Sequence, residues 1–93
     1  RLILKTGGKG YLEKEAAEFL AQTELLTIGI DAISVGTLQT EMAVHVPLLK
    51  KGIAIIEAMK LDHIPDGKYI LSAMPLKVDG AEASPVRAVL IKE

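Results

Sequence analysis

His45 and His63 are the only imidazoles in this chain, and it contains no cysteine. Any imidazole-based acid/base or metal-ligand chemistry must therefore pass through one of these two residues. His45 lies in a helix-compatible stretch, 40–50, and Glu57 closes the aliphatic run Ile53-Ala54-Ile55-Ile56, twelve residues further on. Between them come a helix end, Gly52 and a strand, a path that lets the two side chains converge at one edge of a sheet. Neutral imidazole nitrogen and carboxylate oxygen suit zinc or manganese, with zinc–ligand distances of about 2.0–2.2 Å. A catalytic zinc usually takes three protein ligands plus water, so this pair is at best part of a site. Spacing alone favours the plainer alternative, a helix-surface histidine and a strand-end carboxylate with no special task.

Glu57 is unusual in its setting. It follows four aliphatic residues and precedes Ala58-Met59, where an unpaired carboxylate would be costly to bury. A metal, an arginine such as Arg87, or protonation would each answer that cost. Asp31 and Ser34, after the second aliphatic run, could orient a ligand or substrate as strand-end loops in α/β sheets do. They serve equally well as turn residues satisfying local backbone donors, and that reading is the preferred one. His63 sits in the polar turn 61–67 and is expected in solvent. Gly7-Gly8-Lys9-Gly10 lacks the GxxxxGK[ST] pattern of a phosphate-binding loop.

The elements that must carry these residues follow from periodicity. Leu2-Ile3-Leu4, stopped by Thr6-Gly7-Gly8, reads as a buried strand. Over 12–22, Leu12, Ala16, Phe19 and Leu20 recur at helical spacing, with Glu13, Lys14, Glu15 and Glu18 on the other face. A second strand is expected over 25–30. A second helix over 40–50 carries Met42, Val46 and Leu49, with Pro47 as a break or kink unless it falls in the first turn. Gly52 is a plausible helix cap and 53–56 a third strand. After the turn containing Pro65-Asp66-Gly67 come strands over 68–78 and 86–91, joined too closely for a helical crossover. The order strand, helix, strand, helix, strand, strand, strand predicts an α/β fold with a mixed sheet and two helices.

Composition narrows the function classes. Lys+Arg 11 against Asp+Glu 12 gives a net charge of -1, and only Tyr11, Phe19 and Tyr69 are aromatic. Neither a phosphate backbone nor stacked bases are served, so a nucleic-acid partner is not expected. No apolar run reaches the roughly 18–20 residues that span a bilayer, and the first residues do not read as a start of the secretory kind, so no membrane partner is expected. Zero cysteines are compatible with a reducing cytoplasm. A hydrophobic fraction of 49% with a mean hydropathy of +0.33 is a heavy apolar load for 93 residues. A chain of this size buries only about 60–65% of its unfolded surface, so a missing half or an oligomeric partner is expected to cover the remainder. The start at Arg1, directly before a strand, carries the same expectation.

The sequence resembles the cyclase family of metal-dependent hydrolases, the group that includes kynurenine formamidase. The resemblance runs through Leu2-Ile3-Leu4-Lys5-Thr6-Gly7, Tyr11-Leu12 with Glu15-Ala16-Ala17, and Ile28-Gly29-Ile30-Asp31 with Ser34. It continues in Val44-His45 with Leu48-Leu49, Gly52-Ile53 through Glu57, Pro75-Leu76-Lys77, and Ser84-Pro85-Val86-Arg87-Ala88. No piece is specific alone; their order and spacing are. The resemblance implies that His45 and Glu57 are metal ligands, with zinc or manganese as the cofactor. Asp31 and Ser34 are then candidates for supporting these ligands or contacting substrate.

The family's other ligands come from a motif of the form His-x-Gly-Thr-His-x-Asp-x-Pro, which these 93 residues lack. Residues 1–93 therefore look like a single unit, the C-terminal half of such a domain. The missing half or a companion chain would complete the site and supply the acid/base histidine. The implied fold is of the swivelling β/β/α type, and the implied assembly a homo-oligomer. The implied reaction is hydrolysis of an arylformamide or cyclic amide through a metal-activated water. By itself the 93-residue chain is expected to be inactive. The competing reading is a non-catalytic remnant of the same fold, serving as an oligomerisation or small-molecule-binding module.

Overall fold

The computed structural model describes residues 1–92, which fall into two compact units, 1–63 and a second from residue 64 onward. In the first unit the order is β1 (Leu2–Leu4), α1 (Lys14–Ala21), β2 (Thr27–Ile30), α2 (Glu41–Lys50) and β3 (Ala54–Ile56). The strands form one parallel sheet in the order β1-β2-β3, with Ile3 paired to Gly29 and Ile28 to Ile55. Each parallel pairing is bridged by a helix, as such connections require. Ile28 and Ile30 on the central strand are fully buried. They form one core with Ala17, Ala32, Val35, Val44, Leu48 and Ile53. The second unit is an antiparallel hairpin, β4 (Tyr69–Pro75) with β5 (Val86–Lys92), in which Leu71 faces Leu90 and Ala73 faces Ala88. Both kinds of pairing expected of this α/β chain are thus present, in two sheets.

The helices start and stop for local reasons. Leu12 donates to the Val35 carbonyl at 2.7 Å immediately before α1, and the Lys14–Glu18 pair, 3.8 Å apart, lies on its exposed side. Only Ala17 is fully buried on α1, and Phe19 is 67% exposed, so Phe19 is not part of the inward face that its spacing predicts. A similar correction applies to α2. Its buried positions are Val44 and Leu48, one turn apart, while Met42 and Leu49 are exposed. The sequence of α2 is apolar nearly all round, so more than one stripe satisfies a period of 3.6, and only packing selects between them.

Pro47 lies inside α2 without ending it. The ring's fixed φ suits a helix, and its cost is the missing N–H at that position. The helix closes after Lys50 in a paired motif. Gly52 N–H reaches the Leu49 carbonyl at 3.0 Å and Ile53 N–H the Leu48 carbonyl at 3.0 Å. Gly52 adopts φ +80, the left-handed conformation this ending demands and the reason a residue without Cβ stands there. The chain then enters β3, at whose end Glu57 emerges.

Candidate metal centre

Glu57 follows the last residue of β3, and the next residue, Ala58, has φ +55. That left-handed turn sends the chain back under the end of β2: Ala58 N–H meets the Ala32 carbonyl at 2.8 Å and Met59 N–H the Ile30 carbonyl at 3.0 Å. With its backbone clamped in this way, Glu57 holds its carboxylate over the loop between β2 and α2. There Oε2 accepts the Val35 N–H at 2.8 Å and stands 2.9 Å from Nε2 of His45. His45 projects from the second turn of α2, its side chain 17% exposed against 29% for Glu57. The two residues singled out by spacing therefore do converge, on a shared, partly sheltered spot.

The other imidazole nitrogen is committed. Nδ1 of His45 donates to the main-chain oxygen of Glu41, one turn earlier, at 2.8 Å. With the hydrogen on Nδ1, Nε2 is the nitrogen left with a lone pair for a ligand. The Glu41 carboxylate stands 3.6 Å from Nδ1 and accepts the Ser34 hydroxyl at 3.3 Å. Ser34 Oγ in turn accepts the Gly36 N–H at 3.2 Å. Ser34 thus belongs to the same cluster as His45, joined to it through Glu41.

Asp31 is differently engaged. Its carboxylate accepts the Thr6 hydroxyl at 2.6 Å, the Thr6 N–H at 2.9 Å and the Gly7 N–H at 2.9 Å. The Thr6 hydroxyl, foremost among these, holds the Asp31 carboxyl below its usual range; partial burial opposes the shift, and the N–H groups of Thr6, Gly7 and Gly8 reinforce it. This arrangement ties the loop after β1 to the end of β2; the donors come from 24–25 residues away and not from the local turn that the sequence suggests. His63 is exposed, its Nδ1 3.7 Å from Asp62.

Sequence reasoning missed two contributors. The Val35 N–H is a backbone group and leaves no trace in residue type. Glu41 does leave one, since an acid four residues before a histidine on a helix shares its face. Among the described residues, no cluster of three or more His, Cys, Asp or Glu is placed to hold a metal ion, so His45 and Glu57 offer two donors.

No protein-family model matches the sequence. The chain is 41% identical over 101 aligned positions to kynurenine formamidase of Bacillus thuringiensis, covering 97% of this chain and 48% of that protein. It is 42% identical over 84 positions to cyclase-like protein 2 of Oryza sativa subsp. japonica, covering 89% of this chain and 31% of that one. In three dimensions it matches a solved structure described as a potential metal-dependent hydrolase with cyclase activity. That match has a TM-score of 0.80 at 35% identity and covers 86% of this chain and 40% of the other. The chain thus spans less than half the length of these relatives.

Proposed function

We propose, for a chain that shares the sequence pattern and fold of the cyclase-family metal-dependent hydrolases, that it supplies His45 and Glu57 as part of a divalent-metal site for amide hydrolysis. The observation that carries this reading is the convergence of His45 Nε2 and Glu57 Oε2 at 2.9 Å, with Nδ1 already anchored on a main-chain oxygen. Metal-ligating histidines characteristically donate their second ring N–H in this way. Two lone-pair atoms so close need a hydrogen between them when no cation is bound, and a divalent ion would take that hydrogen's place. The donor set, one imidazole and one carboxylate, fits zinc or manganese. A second-row donor such as Val35 N–H keeps the carboxylate oriented while it serves as a ligand.

Bound there, the ion would lower the pKa of a coordinated water toward about 7 and polarise the substrate carbonyl. The chain's own share is positional. His45 and Glu57 fix the ion against the end of β3, Ser34 and Glu41 steady the imidazole, and the remaining ligands and an acid/base histidine come from sequence outside residues 1–93. An arylformamide or a cyclic amide is the proposed substrate. The name of the Bacillus thuringiensis relative supports the first and the description of the solved neighbour the second. Ile33 and Leu38, each about nine-tenths exposed beside Ser34 and before Glu41, support burial of this edge by substrate or by further protein, in keeping with a homo-oligomer. The described residues contain no helix long and apolar enough to cross a membrane. The absence of cysteine supports a cytoplasmic setting.

Metal analysis and an amidase assay on the full-length protein test this proposal. Bound zinc or manganese that is lost in His45→Ala, together with turnover of an N-aryl formamide, is the expected result. Metal content unchanged by His45→Ala would refute the site. Metal binding without turnover of any amide would favour the non-catalytic module, for which the two-donor count is the supporting observation.

A further inference from the structure

We infer that Glu41 is a positioning residue for His45, presenting its Nε2 as the ligand atom by two separate means. The main-chain oxygen of Glu41 takes the Nδ1–H at 2.8 Å, which fixes the plane of the ring. The side-chain carboxylate stands 3.6 Å from the same nitrogen, too far for a hydrogen bond and close enough to act as a charge. Negative charge beside Nδ1 favours the hydrogen there and makes Nε2 a better electron-pair donor.

Three observations set this carboxylate apart from an ordinary acid at a helix start. Glu41 is the first residue of α2, where the unpaired N–H groups favour negative charge, and it lies one turn before His45 on the same face. Ser34 donates its hydroxyl to Oε1 at 3.3 Å and is itself fixed by the Gly36 N–H at 3.2 Å. The loop that supplies Ser34 also supplies the Val35 N–H to Glu57. One short segment therefore steadies both ligands, the carboxylate directly and the imidazole through Glu41. The affinity part of this inference rests on the proposed metal role of His45; the ring-orientation part does not.

The test uses the full chain with zinc as the probe and compares Glu41→Gln, His45→Ala and Glu18→Gln. Glu18→Gln removes a carboxylate from the exposed side of α1 and controls for net charge. Zinc affinity is measured by titration at low ionic strength, and the electrostatic setting of the His45 ring is read from its imidazole ¹⁵N shifts in the metal-free protein. Glu41→Gln should weaken zinc binding by about tenfold, the lower end of the range for groups that orient a ligand, and move the His45 ring ¹⁵N shifts, while the main-chain oxygen at position 41 keeps the hydrogen on Nδ1. Glu18→Gln should do neither. Affinity and spectra in Glu41→Gln that match those of Glu18→Gln would overturn the inference. If His45→Ala binds zinc as well as the unaltered chain, the metal reading fails by itself, and the imidazole spectrum of Glu41→Gln alone then decides. Should Glu41→Gln not fold, Ser34→Ala releases the carboxylate while keeping it; zinc binding and a His45 spectrum unchanged there would equally overturn the inference.

Discussion

One carboxylate oxygen, Oε2 of Glu57, serves both the Val35 N–H at 2.8 Å and Nε2 of His45 at 2.9 Å. The same contact that makes a candidate ligand therefore also closes the loop between β2 and α2. The two roles separate by substitution. Glu57→Ala leaves a partly buried N–H without its acceptor and should lower stability by about 1–2 kcal/mol in the presence of a chelator. Glu57→Gln, with its amide oxygen in the place of Oε2, retains an acceptor for the Val35 N–H, so it should keep most of that stability while losing zinc affinity. Urea denaturation and zinc titration of both variants check this. Equal destabilisation by Gln and Ala would mean that the acceptor for Val35 is not what Glu57 contributes.

The anchoring of Asp31 by Thr6, Gly7 and Gly8 predicts a pH dependence. Its carboxyl is held below the ordinary range in the folded chain, so the folded state binds the proton less readily than the unfolded one. Its contribution is complete above the unfolded pKa of roughly 4 and is lost as pH falls through the lower folded value. Asp31→Asn should therefore destabilise the chain at neutral pH and flatten the acid side of its stability profile. Thermal melts of both proteins between pH 7 and the acid limit provide the measurement, and parallel profiles would show that Asp31 carries no such linkage.

How much of this was legible in the residues differs by element. Strand β1 and the Gly52 helix ending stand where the pattern puts them, because short apolar runs between glycines and a glycine past a helix leave few alternatives. The inward faces of α1 and α2 were harder to read. Phe19, Met42 and Leu49 satisfy helical spacing but point outward, since periodicity does not say which of two apolar stripes meets the sheet. At the site, spacing marked His45 and Glu57, yet their neighbours are a backbone N–H and a helix-start acid. The fold therefore answers the burial cost of Glu57 with His45, which the spacing marked, and with the Val35 N–H, which residue type does not show.

Ala58, at φ +55 directly after Glu57, is the one residue with a side chain in the left-handed region among those described. An L-residue there costs about 1–2 kcal/mol, while glycine gives back part of that gain through the freedom of its unfolded chain. Ala58→Gly should stabilise the chain by about 0.5 kcal/mol. Ala58→Val, β-branched at the same φ, should destabilise it by more than 1 kcal/mol or so and loosen Glu57 from Val35. Denaturant midpoints test both signs. Destabilisation by glycine would show that the turn is not under strain.

The loop from Ser34 to Gly36 and the start of α2 approach so closely that a Cβ on Gly36 would meet the Thr40 carbonyl oxygen and Val44 Cβ at 3.3 Å. Both neighbours are set by the helix backbone and cannot swing aside as a long side chain could. Gly36→Ala should push the loop from the helix, costing about 1–2 kcal/mol as overpacking does. That movement would also draw the Val35 N–H from Glu57 and the Ser34 hydroxyl from Glu41. Gly52→Ala is the matched comparison. It costs a similar amount through its φ of +80, with open space around the added methyl and no contact to either ligand. If the loop sets the geometry of the site, Gly36→Ala weakens zinc binding several-fold more than Gly52→Ala at equal stability loss. Equal affinities in the two variants would show that His45 and Glu57 hold their positions without it.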